Sequence, residues 1–173
     1  MDSVADDRAR MLATLPILER LVASDDWLPE VFAQPHPEHY QQYLLYCDPH
    51  ERFSIVSFVW GPGQQTPVHD HTVWGLVGML RGSETSQRFE MRNGALREGG
   101  LATLEPGQIE RLLPKEGDIH QVCNRYDDRV SISIHVYGAN IGRVRRHVFD
   151  PKTSQSKEFV SGFSSAMLPN IWN

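Results

Sequence analysis

The sequence contains few cysteines, no excess of positive charge and no long apolar run. Its two cysteines, Cys47 and Cys123, cannot build a disulfide framework, and they predict a reducing, cytoplasmic setting. The net charge of −5 excludes the basic surface that nucleic-acid binding requires. No apolar run approaches the length that spans a bilayer, and the acidic start MDSVADDRAR differs from a signal peptide. We therefore expect a cytoplasmic protein that binds neither nucleic acid nor a membrane.

The length of 173 residues and the absence of internal repeats predict a single domain over residues 1–173. Within it we expect an N-terminal helical segment and connector (1–39), a β region (40–150) and a C-terminal extension (151–173). Residues 4–22 carry apolar side chains at spacings of three and four, which is typical of an amphipathic helix. Pro16 indicates a fresh helix start at Thr14, because a first turn tolerates proline.

Beyond residue 40 the apolar pattern changes to a period of two, which is typical of strands. The strands predicted in this way are one that bears His69 and His71 and others near residues 40–46, 53–60, 73–80, 84–91, 101–104, 109–113, 119–124, 130–137 and 144–149. Asn93-Gly94 predicts a tight hairpin turn. Many short strands with one strong helix predict an all-β fold, a small antiparallel β-barrel with the N-terminal helical segment packed outside.

Three of the eight histidines have the spacing of metal ligands. His69 and His71 are two residues apart, so on one strand both imidazoles point to the same face while Asp70 faces away. His120, on a later predicted strand, offers a third imidazole. Neutral imidazole nitrogens that converge from two strands form a metal site. From the residues alone, an assignment as surface or hydrogen-bonded histidines stays open.

Residues 130–137 alternate between apolar and polar side chains, so that Ser133, His135 and Tyr137 share one face. Two interpretations fit this alternation. The polar face lies inside the barrel, where Tyr137 donates and His135 and Ser133 fix its orientation, or it lies in water. The buried network is favoured, because surface strands more often carry Thr, Lys and Glu.

Two motifs resemble those of the cupin superfamily. The pattern Gly63-x5-His69-x-His71-x3-Gly75-x6-Gly82 is similar to the first cupin motif, except that glycine stands where the usual glutamate ligand would be. The pattern Gly117-x2-His120-x3-Asn124 is similar to the second motif, with its proline, Pro114, displaced by one residue. These motifs imply a cupin-type barrel, a jelly roll.

Within the cupins, the loss of the glutamate and the downstream Ser133, His135 and Tyr137 resemble the thiol dioxygenases, and most of the β region is similar to cysteine dioxygenase. The resemblance implies a non-haem Fe(II) enzyme that oxidises a small thiol with O2 to a sulfinic acid. It implies metal ligation by His69, His71 and His120 and catalytic roles for Tyr137, His135 and Ser133. A homo-oligomer is compatible with it.

The departures from cysteine dioxygenase of the mammalian type point to one subfamily. Gly75 occupies the place of the cysteine that is cross-linked to the active-site tyrosine there, so Tyr137 is expected to be unmodified. Gln42 matches the carboxylate-binding arginine of that type. Both replacements resemble the bacterial 3-mercaptopropionate dioxygenases, in which glutamine works with a later arginine that matches Arg146. The phrases Tyr137-Gly138-Ala139-Asn140-Ile141-Gly142 and Leu168-Pro169-Asn170-Ile171-Trp172 are similar to that subfamily.

Several alternatives stay open at the level of sequence. Cysteine is the second candidate substrate. A zinc or manganese cupin acting as an isomerase or hydrolase is compatible with the histidines alone, and so is a non-catalytic cupin that binds a ligand. The residues around Arg146, which include Arg143 and Arg145, also fit a solvated run of charge, and only the resemblance assigns substrate binding to Arg146.

Overall fold

The computed structural model describes residues 3–164, which form one long helix and eleven strands. In chain order these are α1 (Ser3–Val22), β1 (Gln41–Cys47), β2 (Ser54–Trp60), β3 (Val68–His69), β4 (Gly75–Arg81), β5 (Glu84–Arg92), β6 (Ala95–Leu104), β7 (Ile109–Leu112), β8 (His120–Asn124), β9 (Ser131–Tyr137), β10 (Arg146–Phe149) and β11 (Ser156–Phe159). Across residues 3–164 no helix has both the length and the apolar character needed to cross a membrane. The phrase Leu168-Pro169-Asn170-Ile171-Trp172 lies outside the described residues.

The strands form two antiparallel sheets that face each other. One has the order β1-β2-β9-β4-β7 and the other β11-β10-β3-β8-β5-β6. Val122 on β8 packs with Leu44, Phe58 and Trp60 from β1 and β2, so the two sheets share an interior. The predicted all-β barrel with a helix outside is therefore confirmed. The division of the chain at residues 39 and 150 stays a prediction.

Helix α1 packs against the outside of the first sheet, where Gly78 on β4 leaves room for it. A Cβ built at Gly78 would lie 2.9 Å from Val22 Cγ1 and 3.1 Å from Leu18 Cγ. The expected fresh start at Thr14 is wrong, since α1 runs without a break through Pro16. The burial of Met11, Leu18 and Val22 on the sheet stabilises the helix on both sides of the proline.

Strand β9 is buried on both of its faces. Ile132, Ile134 and Val136 pack in the cluster that holds α1, so the apolar face lies on the helix side of the sheet. The alternate residues therefore point into the barrel, towards the second sheet. This double burial puts the polar residues of β9 among the histidines of the site.

The strand boundaries differ from the prediction mainly at the edges. β6 begins at Ala95 rather than near residue 101, and most of its side chains are exposed, so no apolar alternation marks it. β10 begins at Arg146, whereas Val144 lies in the preceding turn. The short exposed strand β11 was not predicted, and it pairs with β10. The hairpin at Asn93-Gly94 is confirmed, since both residues have positive φ (52° and 74°).

Candidate metal centre

Three buried imidazoles meet inside the barrel. His69 ends β3 and is paired in register with His120, the first residue of β8. His71 follows β3 after one intervening residue. The ring centroids lie 4.9 Å apart in each of the three pairs. One nitrogen from each ring lies within 4.8 Å of the other two, which is a spacing that can hold one metal ion.

The outward nitrogens of two rings are already engaged. His69 Nδ1 is 3.0 Å from the carbonyl oxygen of Pro67, and His120 Nδ1 is 3.0 Å from Ser86 Oγ. A carbonyl can only accept, so Nδ1 of His69 carries the proton and Nε2 keeps its lone pair. Ser86 holds the His120 ring in the matching orientation. Contacts of this kind orient metal-binding histidines.

Asp118 fixes the backbone around His71. Its Oδ2 accepts hydrogen bonds from the backbone N–H of His71 (2.9 Å) and of Thr72 (3.1 Å). Thr72 has a φ of 59°, an uncommon conformation for a β-branched residue, so the turn needs this support. His71 Nδ1 lies 3.8 Å from the same carboxylate and has no hydrogen-bond partner. The Asp118 carboxylate thus lies on the Nδ1 side of the His71 ring.

The three rings are neutral donors at neutral pH. Burial lowers the pKa of His69 and of His120 to about 3 and holds the pKa of His71 well below its ordinary value. No carboxylate belongs to the group of metal-ligating atoms found in residues 3–164. Asp70 faces away as expected and binds His147 through its backbone N–H (2.7 Å) and Nδ1 (2.8 Å). Three neutral nitrogen donors fit a divalent first-row transition metal with open coordination positions.

Ser133, His135 and Tyr137 form a hydrogen-bonded series beside these rings. Ser133 Oγ is 2.8 Å from His135 Nε2, and His135 Nδ1 is 2.8 Å from the Tyr137 hydroxyl. The Tyr137 ring stacks on His71 with centroids 5.6 Å apart. Burial raises the pKa of Tyr137 and lowers that of His135, so the phenol keeps its proton and the imidazole is neutral.

Gly75 lies directly against Tyr137, with which it is paired in register. A Cβ built at Gly75 would lie 3.0 Å from Tyr137 Cδ1 and 3.1 Å from Cε1. Position 75 is therefore the place from which a side chain would touch the tyrosine ring. Glycine offers no atom for a cross-link, which agrees with an unmodified Tyr137.

Glu84 is a buried carboxylate that the sequence did not single out. It begins β5, is 1% exposed, and neither of its oxygens has a hydrogen-bond partner of good geometry. Its polar neighbours are Ser131, Ser133 and the indole of Trp60. Burial raises the pKa of Glu84 to about 8, and these neighbours oppose the shift only in part. Glu84 is thus neutral at pH 7 and lies at the Ser133 end of the series.

Arg146 is the one buried arginine of the predicted run. It is 3% exposed, whereas Arg143 and Arg145 are exposed and paired with Glu51 (2.7 Å) and Glu158 (3.6 Å). Arg146 lies two residues before Val148, which pairs with His69, so Arg146 points to the histidine side of the sheet. Its Nη2 donates to Ser161 Oγ at 2.6 Å, and its buried Nε has no partner.

Gln42 on β1 is buried and lies beside the same serine. Its Nε2 donates to Ser161 Oγ (3.1 Å) and to the carbonyl oxygen of Gly162 (2.9 Å). Gln42 and Arg146 are therefore connected through Ser161. Ser161 was not predicted, because it lies in an exposed segment without a motif.

Two clefts lie outside the histidine group. One of about 590 Å³ lies between α1 and β7, and its Arg8 and Arg88 are paired with Glu116 (2.9 Å) and Glu110 (3.0 Å). Glu110 Oε2 in turn lies 3.9 Å from His120 Nδ1. The other, of about 290 Å³, is lined by His39, Tyr40, Gln42 and residues 161–164. Only the second touches a predicted substrate-binding residue.

Comparisons with known proteins agree with this architecture. A family model described as cysteine dioxygenase type I matches residues 17–150. An uncharacterised conserved protein with a double-stranded β-helix domain from Klebsiella pneumoniae is 13% identical over 79% of this chain and 93% of that chain, with a TM-score of 0.53. A cupin-2 domain from Rhodospirillum rubrum is 11% identical over 75% of this chain and 83% of that chain, with a TM-score of 0.52. At such identities the two structures show the cupin fold alone.

Proposed function

Because the chain belongs to the cysteine dioxygenase type I family, whose members are thiol dioxygenases of the cupin type, we propose that it converts 3-mercaptopropionate to its sulfinic acid with O2. We propose Fe(II) as its metal and His69, His71 and His120 as the ligands. The reaction adds both atoms of one O2 to the sulfur of one thiol. RSH and O2 therefore give RSO2H, and no further oxidant or reductant is required.

The neutral histidine group supports the metal assignment. Without a carboxylate ligand, a divalent ion keeps its full charge, which favours the binding of an anionic thiolate. Bound there, Fe(II) supplies the open positions at which the thiol sulfur and O2 react. Because burial lowers their pKa values, the three imidazoles are already neutral at pH 7. A metal ion can therefore bind without first displacing protons from them.

The single observation that carries the substrate class is the buried guanidinium of Arg146 with its unpartnered Nε. A buried donor that lacks a partner is unfavourable, and a substrate carboxylate satisfies it with a charge-assisted hydrogen bond. Gln42 lies beside it, and its amide can donate to the same carboxylate if it releases Ser161 or Gly162, which take both of its hydrogens in this structure. We propose that this pair binds the carboxylate of a thiol acid.

Tyr137 is proposed to act on the reacting end of the substrate. Its phenol keeps its proton because burial raises its pKa, so it can donate a hydrogen bond. His135 holds the hydroxyl in place at 2.8 Å, and Ser133 holds His135 in turn. The stack of Tyr137 on His71 keeps the phenol ring beside the histidine group.

The choice between 3-mercaptopropionate and cysteine rests on Gln42 and Gly75, which resemble the 3-mercaptopropionate enzymes. Cysteine is kept as the second candidate because the matching family model describes cysteine dioxygenase. The test is O2 consumption by purified, iron-loaded protein with 3-mercaptopropionate, cysteine and cysteamine under one set of conditions. We expect the highest kcat/KM with 3-mercaptopropionate. A higher kcat/KM with cysteine would reverse the assignment, and equal turnover of cysteamine, which has no carboxylate, would remove the role of Arg146.

A further inference from the structure

Residues 160–164, which we name the strap, cross the end of the barrel above Gln42 and Arg146. The strap begins after β11, whose last residue, Phe159, pairs with Arg146. It ends on β1, where the Gln42 N–H donates to Ser164 Oγ and the Ser164 N–H donates to the Gln42 carbonyl, each at 2.8 Å. The strap therefore runs from β11, the neighbour of the strand that carries Arg146, to β1, which carries Gln42.

The strap is held in place by contacts that do not involve that pair. The Gly162 N–H donates to the carbonyl oxygen of Gly142 at 3.0 Å. The ring of Phe163 occupies the space that a Cβ at position 142 would need. Gly162 has a φ of 65°, so the turn there uses the conformational freedom of glycine. These contacts fix the place of the serine between Phe159 and Gly162.

The hydroxyl of Ser161 uses all of its hydrogen-bonding capacity. It accepts from Arg146 Nη2 at 2.6 Å and from Gln42 Nε2 at 3.1 Å, and it donates to the carbonyl oxygen of Gly162 at 3.2 Å. Ser161 is exposed, whereas Arg146 and Gln42 are buried. The serine therefore holds both donors from the solvent side.

The geometry of Arg146 follows from this contact. With Nη2 bound to the strap and the guanidinium stacked over Phe159 at 4.7 Å, the planar group has little freedom to rotate. Its buried Nε is left without a partner. A free arginine side chain would lose much rotamer entropy on binding an anion, whereas one that is already fixed loses less.

We propose that Ser161 is a positioning residue of the carboxylate-binding pair: it turns the Arg146 guanidinium so that its unpartnered Nε meets the carboxylate of a thiol acid, and it holds the Gln42 amide beside it. This inference rests on the proposed function of Arg146. Ser161 acts through the two donors and does not contact the reacting sulfur. Its removal should therefore weaken substrate binding and leave the chemical step nearly unchanged.

The test compares Ser161→Ala, Ser161→Thr and Ser164→Ala in the iron-loaded protein, with whichever of 3-mercaptopropionate and cysteine is turned over faster. Ser164→Ala is the matched control, because it removes a strap hydroxyl that binds only the backbone of Gln42. We expect Ser161→Ala to raise the KM of the thiol acid about fivefold, because Arg146 and Gln42 lose the hydroxyl that orients them. We expect kcat and the KM for O2 to change less than about twofold, and Ser161→Thr to restore the KM.

An equal rise of KM in Ser161→Ala and Ser164→Ala without rescue by threonine would overturn the inference, since the seating of the strap would then be responsible. An unchanged KM in Ser161→Ala would also overturn it. Arg146→Ala separates this failure from a failure of the proposed function. If Arg146→Ala raises KM about 100-fold while Ser161→Ala has no effect, only the positioning role is lost. If Arg146→Ala has no effect, the carboxylate-binding pair itself is wrong.

Discussion

At the scale of single residues, the behaviour of the metal centre depends on groups that never touch the metal. Ser86 and the Pro67 carbonyl hold the outer nitrogens of two rings, and Asp118 holds the backbone that carries the third. Each contact selects the orientation in which an inner nitrogen faces the shared point. The three imidazoles are thus held in place without an ion, and such an arrangement would raise metal affinity because less freedom is lost on binding.

Asp118 gives the first prediction at this scale. Asp118→Ala removes the acceptor of two backbone N–H groups and releases the strained turn at Thr72, so we expect iron affinity to fall about 10- to 100-fold. Asp118→Asn keeps an oxygen acceptor and should lose less. Competition with a chelator, monitored by metal content, measures the effect. Wild-type affinity in Asp118→Ala would contradict the role given to this carboxylate.

Glu84 gives a prediction about the pH dependence of stability. The folded protein keeps the Glu84 proton up to about pH 8, whereas the unfolded chain releases it near its ordinary value of 4.5. Between these values the folded state binds more protons, so stability falls as the pH rises, by at most about 1.4 kcal/mol per pH unit. Glu84→Gln removes this dependence.

The measurement for Glu84 is urea unfolding of the metal-free protein at several pH values from 5 to 9, for wild type and Glu84→Gln. The other titrating groups largely cancel in the difference between the two proteins. We expect Glu84→Gln to gain stability relative to wild type as the pH rises, with no further gain above about pH 8. A difference that stays constant over this range would show that Glu84 titrates normally.

At the scale of elements, two strands position the site: β3, which is short, and β9, which is buried on both faces. β3 is only two residues long, yet its pairing with both β8 and β10 aligns His69 with His120 and brings Arg146 to the same side. β9 separates an apolar face under α1 from a polar face inside the barrel. The apolar contacts that stabilise the fold and the proposed catalytic side chains therefore lie on opposite faces of β9. We expect substitutions on one face to leave the role of the other face intact.

Substitutions on the two faces of β9 test this separation. Tyr137→Phe removes the hydroxyl bound to His135, and we expect kcat to fall about 100-fold or more while the iron content is kept. Ile134→Val, on the helix side, should lower the free energy of unfolding by about 1 kcal/mol and leave kcat unchanged. Retained turnover in Tyr137→Phe would contradict a catalytic role for the Tyr137 hydroxyl.

The contact between α1 and β4 gives a prediction about stability alone. Gly78→Ala forces a methyl group against Val22 and Leu18, so we expect a loss of about 1–3 kcal/mol in the free energy of unfolding. Gly100→Ala on β6 is the control, because a Cβ there meets no atom within 4 Å. Urea unfolding measures both variants. Equal stability of the two would mean that α1 is not packed closely on Gly78.

At the scale of the whole molecule, the fold and the site were predictable to different degrees. Period-two patterns were sufficient for the strands that face the interior, but the prediction of one strand bearing both His69 and His71 is wrong, since β3 ends at His69 and His71 lies in the following turn, held by Asp118. The exposed strands β6 and β11 were missed or shortened, because both of their faces are largely solvated and carry no alternation. The prediction of a helix break near Pro16 was wrong, because the packing of α1 on the sheet outweighs the low helix propensity of proline.

The partners of the predicted site residues could not be predicted in the same way. Ser86 and Asp118 reach His120 and His71 through register and turn geometry that no local pattern encodes. Ser161 depends on the return of the chain after β11. Among cupins such details also decide function, because the same barrel serves many chemistries. The three-histidine group, the β9 series and the buried arginine distinguish this barrel from a generic one.

We propose above all that the three-histidine centre adds both atoms of O2 to the sulfur of a thiol acid. The most direct measurement is a reaction of the iron-loaded protein with 3-mercaptopropionate under ¹⁸O₂ in ordinary water, with the product analysed by mass spectrometry. We predict a sulfinic acid in which both sulfur-bound oxygens carry the label. A product with label on one oxygen or none, or no sulfinic acid from either 3-mercaptopropionate or cysteine, would contradict the account.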